Sequence, residues 1–312
     1  MRIRFWGVRG SLPSPLSPTQ VEDKVATVLR HALPEDLADS HSRKRFLEGL
    51  PPWVFGTVGG NTACVSVDID GFDEPLVFDC GSGMRELGSS VGGAPPNRYH
   101  VLLSHFHWDH LQGFPFFVPA YNRLVNIDFY SPRAGFEGDL SGLMKMPYSP
   151  IQLEDMPAKK KFHLLEAPIS IGPAEISFKH LNHPGDAYAF KISHVGRRFI
   201  YATDVELTMQ DFMRDDENAS FFEDADVALV DSQYTLMEAI EKFKWGHSSY
   251  SMAVEFAMTW KIKHLVLFHH DPRSDDKKLY EMLQSARRYL KLLSAGSGLK
   301  ITLAREGMEI IL

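Results

Sequence analysis

The sequence predicts an α/β fold in which strands are stacked between helical layers, and two observations carry that reading. Short apolar, strand-like runs recur along the chain, most of them ending in a turn or a polar loop. Among them lie stretches whose apolar residues fall at helical spacing, which a layered α/β arrangement buries on both sides of a sheet.

Ile3–Trp6 alternates and then meets Gly7 and Gly10, a short first strand leaving in a flexible turn. Residues 11–20 are rich in Pro and Ser and read as a loop. From Val21 to about Leu50 apolar residues recur at helical spacing (Val21, Val25, Val28, Leu29), with Pro34 forcing a break. The stretch at about 11–58 therefore reads as an insertion, and a candidate lid, that interrupts the strand series. Strands resume at Ala63–Ile69 and Leu76–Asp79, followed by the turn Gly81-Ser82-Gly83. Val101–Leu103 ends in a His-rich loop, and Ile127–Tyr130, Ile176–His180, Ala189–Ile192, Phe199–Ala202, Val227–Val230 and Leu265–Phe268 follow. Between the last two, Tyr250–Trp260 places Ala253, Phe256, Ala257 and Trp260 on one helix face. Ser274 is expected to cap a final helix, with Asp275 and Asp276 in its first turn and Leu279, Met282, Leu283, Ala286 and Leu290 as its buried stripe. No repeat or low-complexity linker divides the chain, so residues 1–312 read as one domain.

Composition bounds the function classes. The chain is 44% hydrophobic and 23% charged, ordinary for a protein with a sizeable core. Its net charge of -7 opposes adsorption to nucleic acid or an anionic membrane. Arg43–Arg45 and Lys159–Lys161 are the only compact basic runs and read as solvated helix or loop faces. Cys64 and Cys80 sit in apolar, strand-like contexts and read as buried free thiols. The N-terminus turns polar within ten residues, and no apolar run approaches the ~20 residues of a membrane helix. A reducing cytoplasm is the expected compartment.

The loop after Val101–Leu103 reads Ser104-His105-Phe106-His107-Trp108-Asp109-His110 and carries four potential ligands in six positions. His105 and His107, at alternate positions of an extended segment, point to one side and can grip one cation. Asp109 and His110, after the chain turns, can grip another. One loop cannot fill two coordination spheres, and three further candidates stand just past apolar strands: His183 in a tight turn, Asp204, and the pair His269-His270. His269 is preferred because it comes first after its strand.

His105–His110 resembles the HxHxDH motif of the metallo-β-lactamase superfamily, and His183, Asp204 and His269 follow in that superfamily's order. The resemblance covers residues 59 to about 273 and the opening strand. It implies a four-layer αβ/βα sandwich with the site at one edge of two sheets. It further implies that Asp79 orders the metal loop, that His105, His107 and His183 bind one metal, and that Asp109, His110 and His269 bind a second. Asp204 would bridge the two. The implied cofactors are two divalent ions, zinc by default because of the His-rich ligation, with manganese or iron admitted by the carboxylates.

Two cations ~3.5–4 Å apart can activate a water and stabilise charge on an attacked oxygen, but fold alone does not choose the bond. Asp231, after the strand Val227–Val230, and His247, at a helix entrance, could pair near the metals and assist a leaving alkoxide. The run from His247 to His269 resembles the phosphodiesterase branch, which includes ribonuclease Z and cyclic-nucleotide phosphodiesterases. By that resemblance Asp109, His247 and Asp231 form the catalytic group; Asp231 stands where ribonuclease Z commonly has Glu. The long tRNA-holding arm of ribonuclease Z has no counterpart, since His183 and Asp204 are only 21 residues apart. A small cyclic or linear phosphodiester is thus the expected substrate, with no stable nucleic-acid complex, no membrane association, and self-association left open. Hydrolysis of a lactone or thioester, and nucleotide sensing without turnover, are the alternatives. Phe114–Tyr121 supplies aromatic faces for a pocket wall or for the core, and Tyr148 is a further lid candidate.

Overall fold

The computed structural model describes residues 1–312. Six strands come first: β1 (Arg2–Gly7), β2 (Cys64–Ile69), β3 (Phe72–Phe78), β4 (Arg98–Leu102), β5 (Asn126–Ser131) and β6 (Lys159–Leu164). Then follow β7 (Ile169–Ile171), β8 (Ala174–Leu181), β9 (Ala187–His194), β10 (Arg197–Ala202), β11 (Val227–Asp231), β12 (His264–Phe268), β13 (Lys300–Leu303) and β14 (Glu309–Ile311). They form two seven-stranded sheets, ordered β14-β1-β2-β3-β4-β5-β6 and β13-β12-β11-β10-β9-β8-β7. In each, four consecutive strands are parallel (β3 to β6, β10 to β13) and the remainder antiparallel. The central strands β11 and β12 are buried at every position, as apolar runs in a parallel sheet covered on both faces must be.

The helices are α1 (Pro18–His31), α2 (Ser40–Gly49), α3 (Pro52–Phe55), α4 (Gly83–Ser90), α5 (Phe136–Leu143), α6 (Asp216–Phe222), α7 (Leu236–Glu241), α8 (Tyr250–Thr259) and α9 (Asp276–Leu293). Three apolar cores separate the layers. Ile3, Phe5, Phe78, Phe190, Phe199 and Phe268 fill the space between the sheets. Phe256, Trp260, Leu279 and Leu283 join the second sheet to α8 and α9, and Leu87, Phe114, Phe129 and Phe136 join the first sheet to α4 and α5. Helix, sheet, sheet and helix therefore stack in four layers, the αβ/βα sandwich of the metallo-β-lactamase fold. The stripe of α9 is buried at all five expected positions.

Several local readings change. The cap of α9 is Asp275, whose carboxylate accepts from the Lys278 N–H, and not Ser274; Asp276 is turned inward instead. Lys159–Lys161 lie on neither a helix nor a loop but begin the edge strand β6, where lysines discourage pairing with another chain. Helix α4 lacks a strong sequence signal because Gly88 sits within it. A Cβ at Gly88 would come 2.9 Å from the Phe117 ring, so packing against the first sheet outweighs the lost propensity. Cys64 and Cys80 are free and buried, and burial pushes both thiols up.

Helices α1 and α2 of the insertion bury no residue. The segment is fastened to the start of α9 from within α1 and from its C-terminal end. Lys24 Nζ meets Asp276 Oδ2 at 2.8 Å, and the Val58 N–H donates to Asp276 Oδ1 at 2.9 Å. At the neck, the buried Arg9 donates from Nε to Gly59 O (2.9 Å) and from Nη1 to Ser274 O (2.7 Å) and Asp271 O (3.2 Å). No helix of the chain is long and apolar enough to cross a membrane.

Candidate metal centre

The candidate residues sit past the ends of β3, β4, β8, β10, β11 and β12, where layered sheets deliver side chains to a common rim. Three of them, Asp79 (φ 59), Asp204 (φ 52) and His269 (φ 62), have left-handed backbone that non-glycine residues rarely adopt. Each such position costs on the order of 1–3 kcal/mol and persists only where the surroundings over-determine it.

Asp79, fully buried, is the organiser. Its Oδ1 accepts the Ser104 N–H (2.7 Å); its Oδ2 accepts the Ser104 hydroxyl (2.7 Å) and the Tyr201 hydroxyl (2.8 Å) and faces His110 Nδ1 at 2.8 Å. Ser104 Oγ in turn lies 3.1 Å from His105 Nδ1. His183 donates from Nδ1 to Gly246 O at 2.8 Å. With these nitrogens engaged, the Nε2 atoms of His105, His110 and His183 are left for the interior of the site, the arrangement in which outer partners orient metal-binding imidazoles.

Two sets of donor atoms result, each lying within 4.8 Å of one another: His105, His107, His183 and Asp204, and Asp109, His110, Asp204 and His269. Asp204 belongs to both. Its Oδ1 is 3.6 Å from His105 Nε2 and 3.7 Å from His183 Nε2, while its Oδ2 is 3.1 Å from His110 Nε2 and 3.2 Å from His269 Nε2. Asp109 Oδ2 lies 3.2 Å from His110 Nε2 and 3.3 Å from His269 Nε2. The structure thus brings all seven expected residues together. His270 is turned away, its ring nitrogen 2.9 Å from Ala304 O.

Charge and hydrogen bonding show that this cluster is suited to divalent cations. Asp79, Asp109, Asp204 and Asp231 are buried, and every ion pair recorded for them is with a histidine, never Lys or Arg. Buried carboxylates need compensating positive charge. Burial holds His105 neutral, its pKa well below the usual value, and its buried Nε2 has no hydrogen-bond partner. Burial disfavours charge on Asp204 too, but its histidine neighbours, His269 and His110 foremost, outweigh it and hold the carboxyl ionised. Burial opposes charge on His110, but Asp204, Asp109 and Asp79 outweigh it and raise its pKa well above the usual value; a zinc, manganese or iron ion bound there would take the place of that proton.

A third group stands alongside. His247 Nδ1 is 2.7 Å from Asp231 Oδ2, and the ring lies 5.0 Å from that of His269 and 5.2 Å from that of His183. Burial opposes charge on His247, but the Asp231 carboxylate outweighs it and raises the pKa above the usual histidine value.

Gly246 explains why a glycine precedes His247. Its φ is +86°, and a Cβ there would lie 2.3 Å from His183 Nδ1. Gly246→Ala is expected to push His183 out of place, lower bound metal, and cost about 1–3 kcal/mol of stability. Metal analysis and thermal unfolding check this, and unchanged metal content with an unchanged melting temperature would contradict it.

Sequence reasoning missed three neighbours of the site. Tyr201 supports Asp79; the Ser11 N–H donates to Asp109 Oδ2 at 2.7 Å; and Trp108, within the loop itself, is 73% exposed. Strand alternation offers a faint signal for Tyr201, and nothing local marks Ser11. Of the aromatic run, Phe114 and Phe117 belong to the core, while Phe116 and Tyr121 are exposed.

Comparison with known proteins bears on the family and the fold. Residues 76–270 match the model of a family described as the beta-lactamase superfamily domain. A ribonuclease Z of Picrophilus torridus is 23% identical over 270 residues, spanning 71% of this chain and 84% of that one. Among solved structures, the metallo-beta-lactamase fold protein YhfI of Bacillus subtilis superposes with a TM-score of 0.64 at 18% identity, over 99% of this chain and 98% of that one. A diphosphatase from the PhnP family does so with 0.64 at 16% identity, over 100% and 97%. At these identities the structural likeness speaks for the fold.

Proposed function

The chain belongs to the beta-lactamase superfamily and is a hydrolase of the metallo-β-lactamase fold, and from that premise we propose that it cleaves a small phosphodiester with two bound divalent cations. The observation that carries the choice of bond is the pair of buried Asp231 and half-buried His247, placed against His269 and His183.

His105, His107 and His183 would hold one cation and Asp109, His110 and His269 the other, with one oxygen of Asp204 for each. Bound there, such ions, with zinc favoured by the nitrogen-rich donors and manganese or iron admitted, activate a water and polarise a phosphoryl oxygen. The chain supplies the rest. His247 Nδ1 is committed to Asp231, so Nε2 is free to face substrate. Asp231 favours the charged imidazole, which can hand a proton to the leaving oxygen as the P–O bond breaks. The same pair has no task in opening a thioester, whose thiolate leaves without a proton.

Substrate size follows from what lies between His183 and Asp204. That segment is the antiparallel pair β9–β10, turning at Val195–Gly196, with no long arm to hold tRNA, and the net charge of -7 opposes a polyanion. The relatives named ribonuclease Z and diphosphatase support hydrolysis at phosphorus. The insertion at 11–58, whose first residue touches Asp109, would cover one side of the pocket.

The test is a side-by-side panel with chelator-stripped and metal-reconstituted protein: a chromogenic diester, 2′,3′- and 3′,5′-cyclic nucleotides, lactones and thioesters. Hydrolysis of diesters above acyl substrates, dependent on added metal, is expected. Preference for an acyl substrate, or tight nucleotide binding without product, would overturn the reading.

A further inference from the structure

Ser11, the first residue of the insertion, carries two features that orienting Asp109 does not require. Its backbone N–H alone makes the 2.7 Å contact to Asp109 Oδ2. Its side chain is exposed yet accepts a hydrogen bond, at 3.3 Å, from Nε2 of Gln233, which is only 2% exposed. The other amide atom, Gln233 Oε1, is buried without any partner. A buried amide left half-satisfied calls for a reason, because such a group costs roughly 1–3 kcal/mol.

The placement supplies one. Gln233 is anchored through its own N–H to Asp231 Oδ1 at 3.1 Å, the carboxylate whose other oxygen faces His247. Ser11 and His247 are therefore set by the same buried Asp231 from two sides. With its oxygen accepting from Gln233, the Ser11 hydroxyl is free to aim its proton outward. Covalent geometry keeps that oxygen about 3 Å from its own backbone nitrogen, hence within about 6 Å of the Asp109 carboxylate. The close approach of this backbone is built in: a Cβ at Gly10 would lie 2.4 Å from the His269 ring, and Ser11 holds a φ of 60°.

We propose that Ser11 is a substrate-binding residue whose hydroxyl donates to a non-bridging phosphoryl oxygen beside Asp109, with Gln233 as the positioning residue that holds it there. The proposal rests on the phosphodiester reading for the identity of the ligand.

Ser11→Gly isolates the hydroxyl, since glycine suits the left-handed backbone and keeps the N–H to Asp109. In metal-loaded protein, the affinity for inorganic phosphate by calorimetry and kcat/KM for a chromogenic diester are expected to fall about ten- to hundredfold, with metal content unchanged. Gln233→Leu should fall in the same direction but less, and adding it to Ser11→Gly should cost nothing more, as for a residue acting only through Ser11. Phosphate affinity and turnover within about twofold of the parent would overturn the proposal, as would loss of metal from Ser11→Gly or additive losses in the double variant. Parent protein that cleaves no diester, yet binds phosphate in a Ser11-dependent way, would refute the phosphodiesterase reading and leave the phosphoryl contact standing. Parent protein that binds no phosphate would overturn the contact itself.

Discussion

Replacing Asp204 with asparagine is expected to abolish hydrolysis, lowering kcat/KM by at least about a thousandfold, because the several kcal/mol that the proposed pair of cations would supply is lost together. The two Asp204 oxygens face different donor sets, Oδ1 toward His105 and His183 and Oδ2 toward His110 and His269. An amide keeps the shape but turns an NH2 toward one pair of imidazole nitrogens and removes the negative charge. Bound metal should fall below two equivalents per chain, read by elemental analysis of protein whose circular dichroism is unchanged. A variant that keeps full metal and activity within tenfold of the parent would remove Asp204 from the bridging role. Asp204 is 1% exposed, so solvent cannot replace what it gives up.

The second large effect falls on turnover and spares the metals. His247→Ala should lower kcat by about 10²–10⁴, the usual contribution of a general acid, with metal content and KM little changed. The loss should shrink for diesters with good leaving groups, which need no proton. The pH dependence has a definite sign. An acid works only while protonated, so activity falls as pH rises through the His247 pKa, which Asp231 holds above the ordinary value. Asp231→Asn removes that support, so the alkaline limb of the kcat profile should move to lower pH. On a diester with a poor leaving group such as a cyclic nucleotide, a loss of only a few-fold in His247→Ala, or an unmoved limb in Asp231→Asn, would exclude the pair from proton transfer.

Different parts of this site were legible to different degrees. The His105–His110 loop could be read from spacing alone, because six residues determine which side chains share a side of an extended segment. His183, Asp204 and His269 were readable as strand-end residues once parallel strands were expected, since such strands deliver their ends to one rim. The choice between His269 and His270 was harder: the left-handed backbone at His269 turns one ring inward and sends its neighbour to Ala304 O. At α9, Ser274 and Asp275 are both good caps by type, and only the chain path shows that Asp275 receives the Lys278 N–H.

By itself, then, the sequence determined the alternation of strands and helices, the apolar faces that build three cores, and the inventory of imidazoles and carboxylates available to a metal. Tertiary structure decided which oxygen of Asp204 serves which donor set, that Asp79 gathers Ser104, His110 and Tyr201, and that Ser11 reaches Asp109 across 98 positions. The reason is physical. Periodicity and ligand spacing are properties of neighbouring residues, whereas a hydrogen bond between distant ones depends on the register of two sheets and the packing between them, which no local pattern records.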